Sequence, residues 1–308
     1  MMAPLLIALP GNEALTARLA AALGADIAAA EFRHFPDEES YVRIDTPVAG
    51  RSVALVCTLD RPDTKILPLF FAAATLRELG AVRVGLVAPY LAYMRQDRRF
   101  KPGEAVTSSI FAKLLSGIVE WLVTIDPHLH RISALSSIYR IPARSLHAAP
   151  LLAGWIKEHV ASPLLVGPDA ESAQWVGEVA VLAEAPHIVL EKQRHGDRDV
   201  KISVPHVERW VGRTPVLVDD IVSTARTMIE TLGHLKRAGM QPAVCIGVHA
   251  VFAPGAYDAL RAAGPQRIVT TNAIPHETNA IDVTDMLAEA ATGMVDQNAP
   301  PNGVPLQE

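Results

Sequence analysis

Aromatic residues are scarce in this chain of 308 residues, which contains seven Phe, five Tyr and four Trp. Proteins that stack nucleic-acid bases rely on aromatic side chains beside a basic groove. The charge also argues against this class, because 28 Lys and Arg are outnumbered by 33 Asp and Glu, and the formal net charge is −5. We therefore expect no nucleic-acid partner.

Long apolar runs and cysteines are also few. The most apolar stretch, ILPLFFAAATL at residues 66–76, is shorter than the roughly 20 residues of a membrane span and contains Pro68. No Lys or Arg precedes Arg18, so the charged region of a secretory signal is not found there. Cys57 and Cys245 lie in β-like apolar runs, which predicts reduced core thiols. We expect a cytoplasmic protein without a membrane partner.

Half of the residues are hydrophobic and a fifth are charged, so the chain can bury a large core and is not disordered as a whole. Short β-branched runs alternate with amphipathic stretches that end at Gly24, Gly80 and Gly239. Continuous apolar strands alternating with helices are typical of parallel sheets covered on both faces. The sequence therefore predicts an α/β protein with two similar domains, each a mainly parallel sheet flanked by helices.

The boundary between the two domains is predicted in the segment RIPARSLHAAP. We place the N-terminal domain at residues 1–145 and the C-terminal domain at 146–292. The remaining residues, 293–308, contain a Pro- and Asn-rich stretch and are predicted to form a disordered tail.

The segment PVLVDDIVSTARTMIETL carries the strongest local signal of a functional site. Its apolar run predicts a strand that ends in Asp219 and Asp220, followed by a hydroxyl-rich turn and a helix. In open α/β sheets, ligands bind outside the carboxyl ends of the strands, and helix N-termini bind phosphate. Paired carboxylates there suit vicinal hydroxyls or Mg²⁺. An ordinary N-cap with acids beside it explains the same residues equally well.

VLVDDIVSTART also resembles the phosphoribosyl-diphosphate-binding motif of the type I phosphoribosyltransferase fold. Further segments resemble, in the same order, those of the ribose-phosphate pyrophosphokinase family. FPDEESYVRI is similar to its nucleotide loop and PYLAYMRQDRRF to its Arg-Gln-Asp-Arg run. TIDPH and VGPD are similar to its two metal-binding strand ends, and LEKQR to its catalytic loop. The resemblance covers residues 1 to 290 and implies two phosphoribosyltransferase-type domains.

The resemblance assigns roles to particular residues. It implies that ATP is bound by Asp37, Glu39, Arg95, Gln96 and Asp97. It implies that Mg²⁺ is bound by His128 and Asp169, and that the catalytic cations are Lys192 and Arg194. Ribose 5-phosphate is expected at Asp219, Asp220, Ser223, Thr224, Ala225, Arg226 and Thr227.

The implied reaction transfers pyrophosphate from ATP to the 1-hydroxyl of ribose 5-phosphate, giving 5-phosphoribosyl 1-diphosphate and AMP. The expected partners are therefore ATP and ribose 5-phosphate, with Mg²⁺ as cofactor. The family also implies a homo-oligomer in which the nucleotide loop acts across the subunit interface. Two alternatives stay open: a phosphoribosyltransferase of the same fold, and a non-catalytic regulatory subunit related to the synthetase.

The chain departs from the family pattern at several positions. Glu38 stands where the nucleotide loop usually has glycine, and Ala225-Arg226 where the phosphate loop commonly has two glycines. Alanine at 225 is expected to resist a left-handed conformation. Arg226 either points to solvent or becomes a phosphate ligand. The segment FKPGEAVTSS differs from the form regulated by phosphate and ADP, so we expect the unregulated type.

Overall fold

The computed structural model describes residues 3–167, 172–195, 199–203 and 207–295. Contacts divide the chain into two compact units. One comprises the residues up to Leu146 together with the segment that begins at Thr284, and the other is His147–Val283.

The first unit is built on a six-stranded sheet in which all neighbouring strands are parallel, in the order β2-β1-β5-β6-β7-β8. A separate antiparallel hairpin, β3–β4, precedes β5. The strands are β1 (Leu5–Ala8), β2 (Asp26–Ile27), β3 (Ala30–His34), β4 (Ser40–Ile44), β5 (Ser52–Val56), β6 (Arg83–Val87), β7 (Trp121–Ile125) and β8 (Ala143–Leu146). The helices between them are α1 (Glu13–Leu23), α2 (Ile66–Glu78) and α3 (Thr107–Leu115).

The second unit contains another six-stranded parallel sheet, in the order β10-β9-β13-β14-β15-β16, and a separate antiparallel hairpin, β11–β12. Its elements are α4 (Ala149–His159), β9 (Pro163–Gly167), α5 (Ala173–Leu182), β10 (His187–Val189), β11 (Glu191–His195), β12 (Asp199–Ser203), β13 (Thr214–Ile221), α6 (Arg226–Arg237), β14 (Val244–His249), α7 (Ala256–Ala262), β15 (Arg267–Thr271) and β16 (Asn279–Ile281).

Apolar side chains on the central strands form the core of each unit. In the first unit, Leu5, Leu6 and Ile7 of β1 are fully buried. In the second, Val216–Val218 of β13 are buried in the same way. Such strands are apolar on both faces because helices cover both sides of a parallel sheet. The predicted architecture of two parallel α/β domains is therefore confirmed.

The last helix, α8 (Thr284–Val295), packs on the first unit. Its contacts there include α1 and β7, a hydrogen bond from Arg18 to the Thr284 hydroxyl, and one from Arg144 to the Ala290 carbonyl. The predicted C-terminal domain, 146–292, differs from the structural division in this element. Residues 293–295 of the predicted disordered tail form the end of α8, so this part of the prediction is wrong, and the residues from 296 onward lie outside the described residues.

The region around HIVLEKQR forms two strands that belong to different sheets. Its first part, β10, is parallel to β9, whereas β11 pairs with β12 in the antiparallel hairpin. Within the described residues, no helix is both long and apolar enough to span a membrane.

Candidate active site

Asp219 and Asp220 lie at the carboxyl end of β13, a central strand of the second sheet. Both are half-buried, and the Asp220 N–H donates to Asp219 Oδ1 at 3.0 Å. The chain crosses from β9 to β10 on one side and from β13 to β14 on the other. The strand order therefore reverses between β9 and β13, and ligands of open α/β sheets bind at such a point.

A short turn joins β13 to α6 and is fixed by backbone hydrogen bonds to the segment that follows β14. Phe252 N donates to the Val222 carbonyl at 2.9 Å, and Ala253 N donates to the Ser223 carbonyl at 3.0 Å. The N–H groups in the first turn of α6 have no partner within the helix. Together with the turn amides, they form the kind of surface that binds phosphate.

The conformation of Ala225 contradicts the expectation from its residue type. Its φ is 56°, so alanine takes the left-handed conformation, and its methyl group is buried in the core of the second unit. This conformation costs an L-residue about 1–2 kcal/mol, which packing of the methyl group and the hydrogen-bonded turn offset. Glu38, in the segment predicted as the nucleotide loop, is also left-handed, with φ 69°. Both residues thus take a conformation that glycine adopts easily.

The side chains of the turn differ in their exposure. Ser223 and Thr227 are half-buried, whereas Thr224 and Arg226 are exposed. Arg226 is the first residue of α6. The structure thus brings the seven predicted ribose-5-phosphate residues together in one continuous strand–turn–helix segment.

In the first unit, Arg95 and Gln96 follow β6 in a turn. Arg95 is exposed and Gln96 is half-buried.

Two residues before Arg95, Tyr93 has a φ of 62° and its hydroxyl donates to Asp63. Burial, followed by this bond, raises the pKa of Tyr93 to about 12, so the hydroxyl keeps its proton. The strained residue is held on the surface of the unit by this contact and by its ring, which lies 4.8 Å from that of Phe111.

Asp97 differs from its neighbours because its side chain is only 1% exposed. Its Oδ2 accepts a hydrogen bond from Arg131 N at 3.1 Å, and Oδ1 accepts one from Arg131 Nη1 at 3.2 Å. Arg131 stands only three residues after His128, but no motif in the sequence marks it as part of the site.

His128 lies just after β7 and is half-buried, with the ring of His130 5.8 Å away. Asp169, the other predicted metal ligand, lies outside the described residues. Among the described residues, no group of three His, Cys, Asp or Glu side chains could hold a metal ion. The carboxylates of Asp219 and Asp220 nevertheless suit Mg²⁺, which binds through one or two carboxylates together with substrate phosphates and water.

The tip of the β3–β4 hairpin forms a shallow concave site of about 410 Å³, lined by Phe35, Pro36, Asp37 and Glu39. Arg33, which no motif in the sequence marks, supports this site. The Arg33 guanidinium lies 4.8 Å from the ring centre of Phe35 and 3.9 Å from that of Tyr41. These cation–π contacts stabilise the orientation of the Phe35 ring beside the two predicted acids.

Lys192 and Arg194 lie two positions apart in β11, opposite Ile202 and Val200 of β12. Their backbone belongs to the separate hairpin of the second unit, and their side chains are outside the described part of the structure. The backbone of the LEKQR segment, which resembles the family's catalytic loop, is thus one strand of this antiparallel hairpin.

Two family models match the chain. The N-terminal domain of ribose phosphate pyrophosphokinase matches residues 5–118, and the phosphoribosyl transferase domain matches residues 134–285. The fold is similar to that of phosphoribosylpyrophosphate synthetase from Mycobacterium smegmatis. The TM-score is 0.83 at 22% sequence identity, covering 95% of this chain and 99% of that one.

Curated relatives match over nearly their whole length. Ribose-phosphate pyrophosphokinase from Saccharolobus solfataricus is 33% identical over 266 residues, which cover 84% of this chain and 90% of that protein. The protein of the same name from Methanothermobacter thermautotrophicus is 31% identical over 289 residues, which cover 92% of this chain and 99% of that protein. On the family models and on these relatives together, the chain belongs to the ribose-phosphate pyrophosphokinase family.

Proposed function

We propose that this enzyme transfers the pyrophosphoryl group of ATP to the 1-hydroxyl of ribose 5-phosphate, giving 5-phosphoribosyl 1-diphosphate and AMP. The observation that carries the proposal is the end of β13, where two adjacent carboxylates precede a hydroxyl-rich turn and the first amides of α6. The alternatives, a phosphoribosyltransferase and a non-catalytic subunit, are less well supported, because relatives along most of the chain are named as pyrophosphokinases.

Ribose 5-phosphate binds along this strand–turn–helix segment in the proposal. Asp219 and Asp220 accept hydrogen bonds from the ribose hydroxyls. The 5-phosphate binds the turn amides and the hydroxyls of Ser223, Thr224 and Thr227, because a helix N-terminus favours negative charge. These contacts fix the sugar so that its 1-hydroxyl is presented to ATP.

ATP binds through residues of the first unit. The exposed guanidinium of Arg95 pairs with phosphate oxygens, because this planar group can donate two parallel hydrogen bonds to one phosphate. Gln96 adds a neutral hydrogen bond. Asp37 and Glu39 accept hydrogen bonds from the adenine of an ATP bound by a neighbouring copy. This assignment makes the active enzyme a homo-oligomer.

In the reaction, the 1-hydroxyl oxygen loses its proton to solvent and forms a bond to the β-phosphorus of ATP. The bond from that phosphorus to the α–β bridging oxygen breaks, which releases AMP. Lys192 and Arg194 neutralise charge that develops on the transferred group, and such electrostatic stabilisation is often the largest contribution to the rate. Mg²⁺, expected at His128 and Asp169, supplies further neutralisation of the phosphates when bound.

The test is whether the purified protein forms AMP from ATP in the presence of ribose 5-phosphate and Mg²⁺. Asp219→Asn and Asp220→Asn should each raise KM for ribose 5-phosphate about tenfold or more, equivalent to about 1.4 kcal/mol. Glu184→Gln is the matched control, because this acid of the same unit is exposed and pairs with Lys157, and it should leave KM unchanged. Formation of no AMP by the wild type would refute the proposal.

A further inference from the structure

The contact between Asp97 and Arg131 joins two segments that are 34 positions apart in the sequence. One segment carries Arg95 and Gln96, and the other, after β7, carries His128. Asp97 accepts from both the backbone N–H and the guanidinium of Arg131. The same carboxylate therefore fixes the main chain and the side chain of its partner.

The two sides of this contact are held differently. The segment before Asp97 is fixed to the start of α3, because the Thr107 hydroxyl donates to the Tyr93 carbonyl and Ser108 N donates to the Gln96 carbonyl, both at 3.3 Å. The stretch 127–134, in contrast, contains neither helix nor strand. The hydrogen bonds that Arg131 donates to Asp97 are therefore among the contacts that fix this stretch.

The burial of Asp97 argues against direct contact with ATP. A carboxylate that is 1% exposed can meet a ligand only by turning away from Arg131. A buried charge that loses its partner pays a large desolvation cost. The carboxylate is therefore more stable on Arg131, whose own side chain is 42% exposed and closes the contact from the solvent side.

We propose that Asp97 is a positioning residue, which acts through Arg131 to hold the His128 segment in place relative to Arg95 and Gln96. This inference rests on the proposed function, because it concerns how that site is assembled. It assigns to Asp97 a role different from the ATP contact implied by the family, and it adds Arg131 to the residues on which the site depends.

The experiment compares Asp97→Asn, Arg131→Ala and the double variant in the full-length protein. Binding of a non-hydrolysable ATP analogue with Mg²⁺ is measured by calorimetry, and amide hydrogen exchange is followed in the peptide that contains residues 127–134. The matched control is Arg77→Ala, which removes a half-buried pair with Glu120 in the same unit. Glu120 immediately precedes β7, whereas His128 follows the carboxyl end of the same strand.

Both single variants should weaken binding of the analogue about tenfold, which corresponds to about 1.4 kcal/mol, and should speed exchange in the peptide. The double variant should show the same tenfold loss, because each single change already removes the pairing of the Asp97 carboxylate with the Arg131 guanidinium. Arg131→Lys should recover part of the affinity. Arg77→Ala should change neither measurement.

Other outcomes would overturn the inference. If Asp97→Asn weakens binding tenfold while Arg131→Ala stays within twofold of wild type, Asp97 is a direct ligand. A hundredfold loss in the double variant would mean independent roles. Faster exchange with unchanged binding would leave only a structural role, and this also refutes positioning. Failure of the proposed function is a separate result, because it would appear as a wild type that forms no AMP.

Discussion

Gly247 allows the turn between β13 and α6 to pack closely on the second sheet, and replacing it by alanine should disturb that turn. Gly247 lies in β14 beside Asp219 of β13. A Cβ at this position would lie 2.4 Å from Cγ2 of Val222, whereas carbon atoms in contact are normally about 3.5–4.0 Å apart. Val222 is buried and immediately precedes Ser223.

The structure leaves Val222 little freedom to move away. Its N–H donates to the His249 carbonyl at 3.0 Å, and its carbonyl accepts from Phe252 N at 2.9 Å. Overpacking of this kind costs about 1–3 kcal/mol. Alanine recovers about 0.5–1 kcal/mol relative to glycine in a strand. The free energy of unfolding of Gly247→Ala should therefore fall by up to about 2.5 kcal/mol.

The assay combines urea unfolding with steady-state kinetics. Displacement of the turn should raise KM for ribose 5-phosphate while KM for ATP stays near the wild-type value. Val222→Ala should remove the clash, so the double variant should be destabilised less than the sum of the single changes. Gly154→Ala is the control for a glycine-to-alanine change without a clash. Gly154 lies in α4 with open space around it, so alanine there should raise the free energy of unfolding by about 0.5–1 kcal/mol. Wild-type stability and wild-type KM in Gly247→Ala would refute the reasoning.

Three further predictions test other parts of the molecule. Gly85→Ala should lower the free energy of unfolding in urea by about 3 kcal/mol or more, because its Cβ would lie 1.8 Å from the Trp121 ring; an unchanged unfolding midpoint would contradict this. Thr227→Val should raise KM for ribose 5-phosphate about tenfold through loss of one hydrogen bond to a charged group, and an effect on KM for ATP alone would reverse the substrate placement. Burial raises the pKa of both Cys57 and Cys245 to about 12, so a thiol reagent at pH 8 should label them in urea but not in the native protein.

Much of the fold could be predicted because the responsible signals are local. The apolar run before Asp219 predicts a buried strand, and α6 then ends near Gly239, as the pattern indicates. Burial of the two cysteines follows from the same kind of run. The division of HIVLEKQR into β10 and β11, which meet at Leu190, could not be predicted. A continuous run of strand-forming residues does not indicate which neighbour each half will pair with.

The residue types and their order were sufficient to indicate the family and the segments proposed to form its site, because each segment is short and continuous. The tertiary structure decided which distant groups meet. Asp97 pairs with Arg131, α8 packs on the first unit, and Arg33 stacks on Phe35 and Tyr41. The tertiary structure also decided the left-handed conformation of Ala225. The local preference of alanine opposes that conformation, and only the packing of its methyl group and the hydrogen bonds of the surrounding turn stabilise it.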